Sequence, residues 1–163
     1  MNENYLSRRN PTYAKAAVAS SEGLASQAGL EILNKGGNAI DAAIATAAAL
    51  TVVEPCSNGI GSDCFAIINY QDKIYGLNSS GYSSRNISIE KVKAMGYEKM
   101  PKFGIIPVTI PGTPKGWATL SERFGNLSLP EVLTPAIKLA RNGFVLSETV
   151  GYYFDKAIKV YQD

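Results

Sequence analysis

Small and apolar residues recur every three or four positions near the start of the chain, which is the spacing of one helix face. Two adjacent rows have this spacing: Leu24, Ala28 and Ile32, and Ala25, Gly29 and Leu33. This pattern predicts a helix that is capped by Ser20 or Ser21 and ends at Gly36 and Gly37. The small residues at 14–21 predict a short strand before it.

A second run is apolar on nearly every side. Between Ala42 and Val53 only Thr46 and Thr51 are polar, so we predict a buried helix over 39–53. Asn38 is placed to cap this helix, and a carboxylate at Asp41 suits its first turn. A proline at 55 marks its end.

The middle of the chain predicts two paired strands, "CFAIINY" and "KIYGLN", joined near Gln71 and Asp72. The continuous apolar run "FAII" is typical of a sheet covered on both faces. A small polar loop follows at 79–84, and four helical patterns come after it. The first two lie at 88–96 and around 117–123. The third starts at Ser128, with a kink or break expected at Pro135, and the fourth starts at Ser147. The pattern indicates an α+β architecture with a largely helical C-terminal half. We see no repeat and no linker within 1–163.

Composition excludes several classes of function. The chain is 45% hydrophobic and 18% charged, as in a globular protein, and its net charge of +2 is scattered, which gives no case for nucleic acid. The longest apolar run has 12 residues, too short for a bilayer, and the first residues lack an apolar signal core. We therefore expect a cytoplasmic protein with no membrane partner.

The chain contains no histidine. This excludes a Ser-His-Asp or Cys-His catalytic arrangement within the chain, and histidine metal sites as well. The two cysteines, Cys56 and Cys64, have no zinc-site spacing, and two reduced thiols are favoured over a disulfide. We predict neither a metal nor a cofactor.

Two long stretches carry a resemblance. "LASQAGLEILNKGGNAIDAAIA" and "IPGTPKGWATLSERFGNLSLPEVLTPAIKLARNGFVLS" resemble, in order and spacing, the N-terminal part of the large subunit of the gamma-glutamyltranspeptidase family. The resemblance implies the αββα sandwich of the N-terminal nucleophile (Ntn) hydrolases, with central strands flanked by helices. In that family a precursor cuts itself into a large and a small chain. The new N-terminal threonine of the small chain attacks the amide, and its own α-amine serves as the base.

The resemblance covers only part of such an enzyme, so we expect 1–163 to be a single, incomplete domain with no catalytic residue of its own. Thr149 is rejected as the nucleophile because it lies inside the large-subunit pattern. The implied function is that of a transferase or hydrolase, including acyltransferases and enzymes of glutathione metabolism, acting on gamma-glutamyl or other small amides. The expected partner is a small-subunit-like chain carrying the threonine, or a further copy in a homo-oligomer. A non-catalytic relic, a structural subunit or a small-molecule binding module remain alternatives.

The loop "CSNGIGSDC" raises the question of phosphate binding. It lacks the Lys-Ser/Thr of a P-loop and the third glycine of a dinucleotide fingerprint, and it precedes a strand where both motifs precede a helix. An architectural role is favoured: Asn58, Gly59, Gly61 and Asp63 form a structural loop between buried helix and strand. For Asp63, a carboxylate that satisfies loop amides is favoured over a site group.

The resemblance also bears on substrate recognition. Typical transpeptidases carry an arginine for the α-carboxylate of the glutamyl group where this chain has Ser80, and a related branch often has it where this chain has Tyr82. Ser79, Ser80 and Tyr82 are therefore candidates to line a pocket for a small polar amide. Arg85 lies nearby, although a surface role is favoured for it. Trp117 is assigned to the core.

Overall fold

The computed structural model describes residues 13–160. In this part of the chain, two helices precede a two-stranded sheet and four helices follow it. The elements are α1 (Gly23–Asn34), α2 (Ala39–Val53), β1 (Cys64–Tyr70), β2 (Lys73–Ser79), α3 (Ile89–Ala94), α4 (Thr113–Phe124), α5 (Leu129–Asn142) and α6 (Glu148–Val160). The predicted α+β architecture with a largely helical C-terminal half is confirmed. No described helix combines the length and apolarity needed to cross a membrane.

Helix α2 is the centre of the core. It packs against α1, α4 and α5, and most of its residues are buried, as its apolar sequence predicted. Gly29 allows α1 to approach it closely, since a Cβ atom there would overlap the hydroxyl of Thr46. Trp117 and Leu120 of α4 and Val132 of α5 complete this core.

The start of α2 is fixed by a capping box. The side-chain oxygen of Asn38 accepts hydrogen bonds from the backbone N–H groups of Ile40 and Asp41, at 2.9 and 3.1 Å. In return, the Asp41 carboxylate accepts one from the N–H of Asn38 at 2.9 Å. This reciprocal arrangement satisfies backbone donors that a helix start leaves free, so the predicted cap at Asn38 is confirmed.

The predicted cap of α1 is wrong. Glu22 occupies the N-cap position, and no side chain caps this helix end. The two serines are engaged elsewhere: the Ser20 hydroxyl donates to the carbonyl of Glu22, and that of Ser21 donates to the Glu54 carboxylate at 2.6 Å. The hydroxyl of Ser21 therefore connects α1 to the end of α2.

The sheet is an antiparallel hairpin that runs in register from Cys64 opposite Ser79 to Tyr70 opposite Lys73. Its turn lies at Gln71 and Asp72, as predicted, and both have positive φ angles (50° and 59°), which is typical of a tight two-residue turn. The inner face packs on the helices: the rings of Tyr70 and Tyr75 lie 5.4 and 5.0 Å from that of Phe124 in α4.

The outer face of the sheet is uncovered by the described residues. Phe65, Ile67 and Ile74 are 62%, 87% and 77% exposed. The apolar run in β1 predicted cover on both faces, and the helices within 13–160 supply it on one face only.

Residues 14–21 do not form the predicted strand. Their backbone pairs with no strand in the described part of the chain, where β1 and β2 pair with each other. A strand requires a neighbour to supply its hydrogen bonds, and small residues alone cannot create one.

The C-terminal helices differ from the prediction in detail. Helix α4 begins at Thr113, before the predicted region, because Pro114 suits the first helical turn. Helix α5 continues through Pro135 without a break. At its start, the Glu131 carboxylate accepts a hydrogen bond from the N–H of Ser128 at 3.0 Å. Ser147 caps α6, since its hydroxyl accepts from the N–H of Val150.

Candidate functional site

Two loops with candidate residues meet at one end of the hairpin. The antiparallel register places Cys64, the first residue of β1, opposite Ser79, the last residue of β2. The loop that enters β1 and the loop that leaves β2 are therefore neighbours. We call this region, formed by residues 58–63, 79–85 and 110–113, the hairpin end.

The segment before α4 joins these two loops. The backbone N–H groups of Gly112 and Thr113 both donate to the carbonyl of Ser62 at 3.0 Å. The hydroxyl of Thr113 donates to the carbonyl of Asp63 at 2.7 Å, and that of Ser79 donates to the carbonyl of Gly112 at 2.7 Å. These bonds join three segments that are distant in sequence, and they fix the arrangement of the hairpin end.

Two glycines make this close approach possible. A Cβ atom at Gly112 would overlap the carbonyl oxygen of Ser79, and one at Gly81 would overlap that of Ile110. Gly81 also has a positive φ of 80°, which side chains disfavour. Sequence reasoning missed this junction, although the "IPGT" at 110–113 was its signal: a glycine just before a helix that starts with Thr-Pro.

The four candidate substrate residues have different surroundings. The hydroxyl of Ser79 is already bonded within the junction, and this residue is half-buried. Ser80 and Tyr82 are exposed, and Tyr82 is 81% exposed. Arg85 is exposed further along the loop, and no described carboxylate pairs with it. The structure thus brings Ser79, Ser80 and Tyr82 to one loop at the hairpin end, with Arg85 at its border.

The loop before β1 is tied down by Asn58. Its side-chain amide donates to the Glu54 carboxylate at 2.9 Å, next to the bond from Ser21. We expected the Asp63 carboxylate to accept hydrogen bonds from loop amides, and this is wrong. The side chain of Asp63 is exposed, and its carboxylate accepts no hydrogen bond from a described residue. Its backbone carbonyl accepts one from the hydroxyl of Thr113.

The glycines of this loop have free space around them. Neither Gly59 nor Gly61 has a positive φ, and a Cβ atom at Gly61 would meet nothing within 4 Å. At Gly59 the nearest atom to a Cβ would be the backbone N of Gly61 at 4.0 Å, an ordinary contact. Nothing in the described part of this chain therefore requires glycine at these two positions.

The two thiols are free and lie in different environments. Cys56 is exposed, whereas Cys64 is half-buried on the inner face of the sheet. Burial raises the pKa of the Cys64 thiol, and the negative charge of Asp63 raises it further. Among the described residues, no three histidine, cysteine or carboxylate side chains converge as metal ligands would.

This difference predicts unequal reactivity. The thiolate is the nucleophile, so a raised pKa lowers its fraction at pH 8, and we expect iodoacetamide to alkylate Cys64 about tenfold more slowly than Cys56. Mass spectrometry of the Cys56→Ser and Cys64→Ser variants follows each thiol separately. In urea the two rates should become similar. Equal rates in the folded chain would contradict the burial of Cys64.

Residues 25–162 match the gamma-glutamyltranspeptidase family. The chain is 40% identical over 151 residues to the glutathione hydrolase-like YwrD proenzyme of Bacillus subtilis. The matched region is 90% of this chain and 28% of that protein. It is 36% identical over 144 residues to the acylase ACY 1 proenzyme of Pseudomonas sp. (strain SE83), covering 82% of this chain and 26% of that protein.

Two solved structures have the same fold. The cephalosporin acylase from Bacillus halodurans superposes with a TM-score of 0.86 at 46% identity, over 99% of this chain and 32% of that chain. The Helicobacter pylori gamma-glutamyltranspeptidase superposes with a TM-score of 0.84 at 30% identity, over 92% of this chain and 44% of that chain. The chain spans about a quarter of the length of the curated relatives that it matches.

Proposed function

The chain belongs to the gamma-glutamyltranspeptidase family of Ntn hydrolases, and we propose that it forms the N-terminal part of the large subunit of an amide hydrolase or acyltransferase whose nucleophilic threonine lies on a separate chain. The observation that carries this proposal is the uncovered apolar face of the hairpin, with Phe65, Ile67 and Ile74 mostly exposed. The YwrD protein and the acylase ACY 1 are both named proenzymes, which is consistent with a chain that works together with a second one.

The energetics of this face favour a partner. Burying a large apolar side chain stabilises a protein by about 1.5–3 kcal/mol, so three such residues left in water favour association. The flat face of a sheet is best covered by a second sheet, at a spacing of about 10 Å. In an αββα sandwich, two sheets pack face to face between two layers of helices. The inner face of this hairpin would contact the chain's own helices, and its outer face would contact the partner's sheet.

The proposed chemistry fits a chain without histidine. A free α-amine has a pKa of about 8, so part of it is neutral at neutral pH and can accept a proton from the hydroxyl of the same threonine. In this proposal the present chain supplies the hairpin end, where an amide substrate lies between the 79–82 loop and the partner. Thr149 does not serve as the nucleophile, since its nitrogen is a peptide amide within α6 and lacks basicity.

The test is reconstitution. This chain is produced alone and together with the part of the Bacillus subtilis YwrD proenzyme that it does not match, and hydrolysis of gamma-glutamyl and butyryl p-nitroanilides is measured. We expect turnover only in the complex, after the added polypeptide has cleaved itself, and its loss when the threonine that this cleavage exposes is replaced by alanine. Turnover by the lone chain would refute the proposal. A stable complex without turnover would favour a non-catalytic structural subunit.

The substrate class follows from the charge at the hairpin end. No cation occupies positions 80 or 82, so the α-carboxylate of a gamma-glutamyl group has no matched arginine there. Neutral hydrogen-bonding groups at Ser80 and Tyr82 suit an acyl group without that carboxylate. We therefore propose small amides other than gamma-glutamyl compounds as the preferred substrates. The engaged hydroxyl of Ser79 and the open surroundings of Tyr82 argue against a stand-alone binding module.

This substrate proposal predicts a gain of function. In the complex, Ser80→Arg should raise kcat/KM for the gamma-glutamyl anilide by about tenfold, because a guanidinium pairs with the α-carboxylate, and should leave the butyryl anilide unchanged. Ser83→Arg, an exposed serine in the same loop, is the matched control.

Arg85→Ala should change KM by less than about twofold, as expected of a surface arginine. A large rise in KM with Arg85→Ala would assign carboxylate binding to that residue.

A further inference from the structure

The segment between the hairpin and α4 forms a closed lobe. It leaves the sheet at Tyr82 and returns at Ile110, where the backbone N–H of Ile110 donates to the carbonyl of Tyr82 at 2.9 Å. We call residues 83–109 the α3 lobe, after the helix that they contain. In this lobe Val92 is buried, whereas most of the other large apolar side chains are exposed, with Ile89 at 70%. The lobe therefore presents apolar surface that the rest of the described chain leaves uncovered.

The end of α3 is fixed by a Schellman motif. The backbone N–H of Gly96 donates to the carbonyl of Lys93 at 2.9 Å. That of Tyr97 donates to the carbonyl of Val92 at 3.3 Å. Gly96 has a positive φ of 89°, which suits glycine at this position of the motif. The chain turns back here, so backbone hydrogen bonds set the position of the next residues, 97–100, relative to α3.

A groove of about 380 Å³ lies between α3 and the stretches on either side of it, 83–88 and 97–100. We call it the α3 groove. Its volume is near the lower end of the range of small-molecule sites, about 300–1,000 Å³. It therefore suits a hydrocarbon group of medium length better than a long lipid chain. The apolar side chains that line it are Ile87, Ile89, Val92, Tyr97 and Met100.

Charged side chains line the same groove. Lys93, Glu98 and Lys99 are exposed, and none of them forms an ion pair with another described residue. Two ammonium groups and one carboxylate give the lining a net charge of +1. A ligand with a single negative charge would balance this net charge, whereas a second negative charge would be repelled by Glu98.

The charge of the whole lobe adds to this preference. Its five basic and two acidic side chains give a net charge of +3, whereas the complete chain has a net charge of +2. The lobe is therefore the positive part of the molecule, and its field attracts anions. The basic residues are Arg85, Lys91, Lys93, Lys99 and Lys102, and the acidic residues are Glu90 and Glu98.

We propose that the α3 groove binds an aliphatic carboxylate of medium chain length. The hydrocarbon chain covers the apolar lining, which removes both surfaces from water, and the carboxylate pairs with the ammonium groups of Lys93 and Lys99. The inference does not depend on the proposed function, because every residue of the groove belongs to 83–100 of this chain.

Isothermal titration calorimetry of the folded chain with octanoate tests this proposal, with circular dichroism as the check of folding. We expect saturable binding of one octanoate per chain. Each buried methylene group contributes about fourfold in affinity, so butanoate should bind at least about fiftyfold more weakly. Octylammonium has the same chain and the opposite charge, and it should not saturate the site. Absence of saturable octanoate binding, or equal binding of octylammonium, would overturn the inference.

A matched pair of variants tests the apolar lining. Ile89→Gln removes an apolar side chain from the groove, and Ile105→Gln makes the same change outside it, at a residue that is 83% exposed. Both positions are solvent-exposed, so neither substitution should prevent folding. We expect Ile89→Gln to weaken octanoate binding by about tenfold and Ile105→Gln to leave it unchanged. Equal dissociation constants for the two variants would place the binding site elsewhere.

A second set of variants tests the charges. Lys93→Gln and Lys99→Gln should each weaken octanoate binding by about threefold, as expected of exposed ion pairs, and Glu98→Gln should strengthen it. Lys102→Gln, in the same lobe but outside the lining, should have no effect. If all three lysine variants weakened binding equally, the carboxylate would be responding to the overall charge of the lobe, and the proposed pairing would be wrong.

The complex with the unmatched part of the YwrD proenzyme identifies other occupants of the α3 groove. We expect octanoate to bind the complex with the affinity that it has for the chain alone. Loss of binding on assembly would assign the groove to the partner polypeptide, and loss on self-association would assign it to a second copy; either result overturns the inference. Anilide turnover is measured separately, so octanoate binding and the proposed function can each fail without the other.

Discussion

Replacing Asp41 with alanine is expected to lower the free energy of unfolding by about 4 kcal/mol, the largest effect of any substitution considered. Asp41 is fully buried, and one of its carboxylate oxygens accepts hydrogen bonds from the N–H groups of Asn38, Asn126 and Leu127, at 2.9, 2.9 and 3.3 Å. Alanine would leave these partly buried donors without their acceptor, and a donor shielded from water without a partner costs about 1–3 kcal/mol.

The effect should be large because Asp41 connects two distant parts of the core. It joins the start of α2 to the turn between α4 and α5, where the side-chain amide of Asn38 also donates to the carbonyl of Phe124 at 2.6 Å. Its second oxygen is buried without a hydrogen-bond partner among the described residues and lies against Gly125. The turn therefore packs directly on the carboxylate.

Urea unfolding followed by circular dichroism measures this change. Asp41→Asn keeps an oxygen acceptor in the same place but buries an amide NH2 group. We therefore expect it to lower the free energy of unfolding by about 2 kcal/mol. Asp155→Ala removes an exposed carboxylate from α6 and should change stability by less than about 0.5 kcal/mol. A loss below about 1 kcal/mol for Asp41→Ala would show that the α2 start and the α4–α5 turn do not depend on this carboxylate.

The second large effect is expected at Gly112. Gly112→Ala should lower the free energy of unfolding by about 3 kcal/mol, because its Cβ would overlap the carbonyl of Ser79 and crowd the N–H of Gly81, neither of which can move as a flexible side chain can. The hydrogen bonds of Gly112 and Thr113 to Ser62 would be strained as well. The hairpin end should therefore open before the rest of the fold.

Gly61→Ala is the matched control in the same region. A Cβ atom there meets nothing and the backbone conformation is ordinary, so stability should be unchanged or slightly higher. Urea unfolding gives both values, and hydrogen exchange of residues 79–82 locates the damage in Gly112→Ala. If both alanine variants were equally stable, the contact between Ser79 and Gly112 would not hold the hairpin end together.

The candidate site could be predicted only in part from the sequence. The family resemblance pointed to residues 79–85, and the structure gathers 79–82 at the hairpin end. The sequence did not indicate that the hydroxyl of Ser79 is used to hold Gly112, nor that Thr113 bonds to Asp63, since these contacts join residues 33 and 50 positions apart. Spacing along one element carries no information about such contacts.

The sequence by itself determined the local elements. The buried helix Ala39–Val53, its cap at Asn38 and the turn at Gln71 and Asp72 follow from periodicity, capping chemistry and short-range pairing, which act within a few residues. The family also follows from the sequence, because the two blocks that carry the resemblance are long and occur in the family's order.

Only the tertiary structure decided which faces are covered and what the buried polar groups do. The dipole of α2 predicted a carboxylate at Asp41, but its bonds to Asn126 and Leu127 depend on a turn 85 residues away. The apolar run in β1 predicts a sheet covered on both faces, whereas the described residues leave its outer face open. The small residues at 14–21 predict a strand, but no described strand pairs with them. The physical reason is that a strand is completed by its neighbours, and neighbours are set by long-range packing.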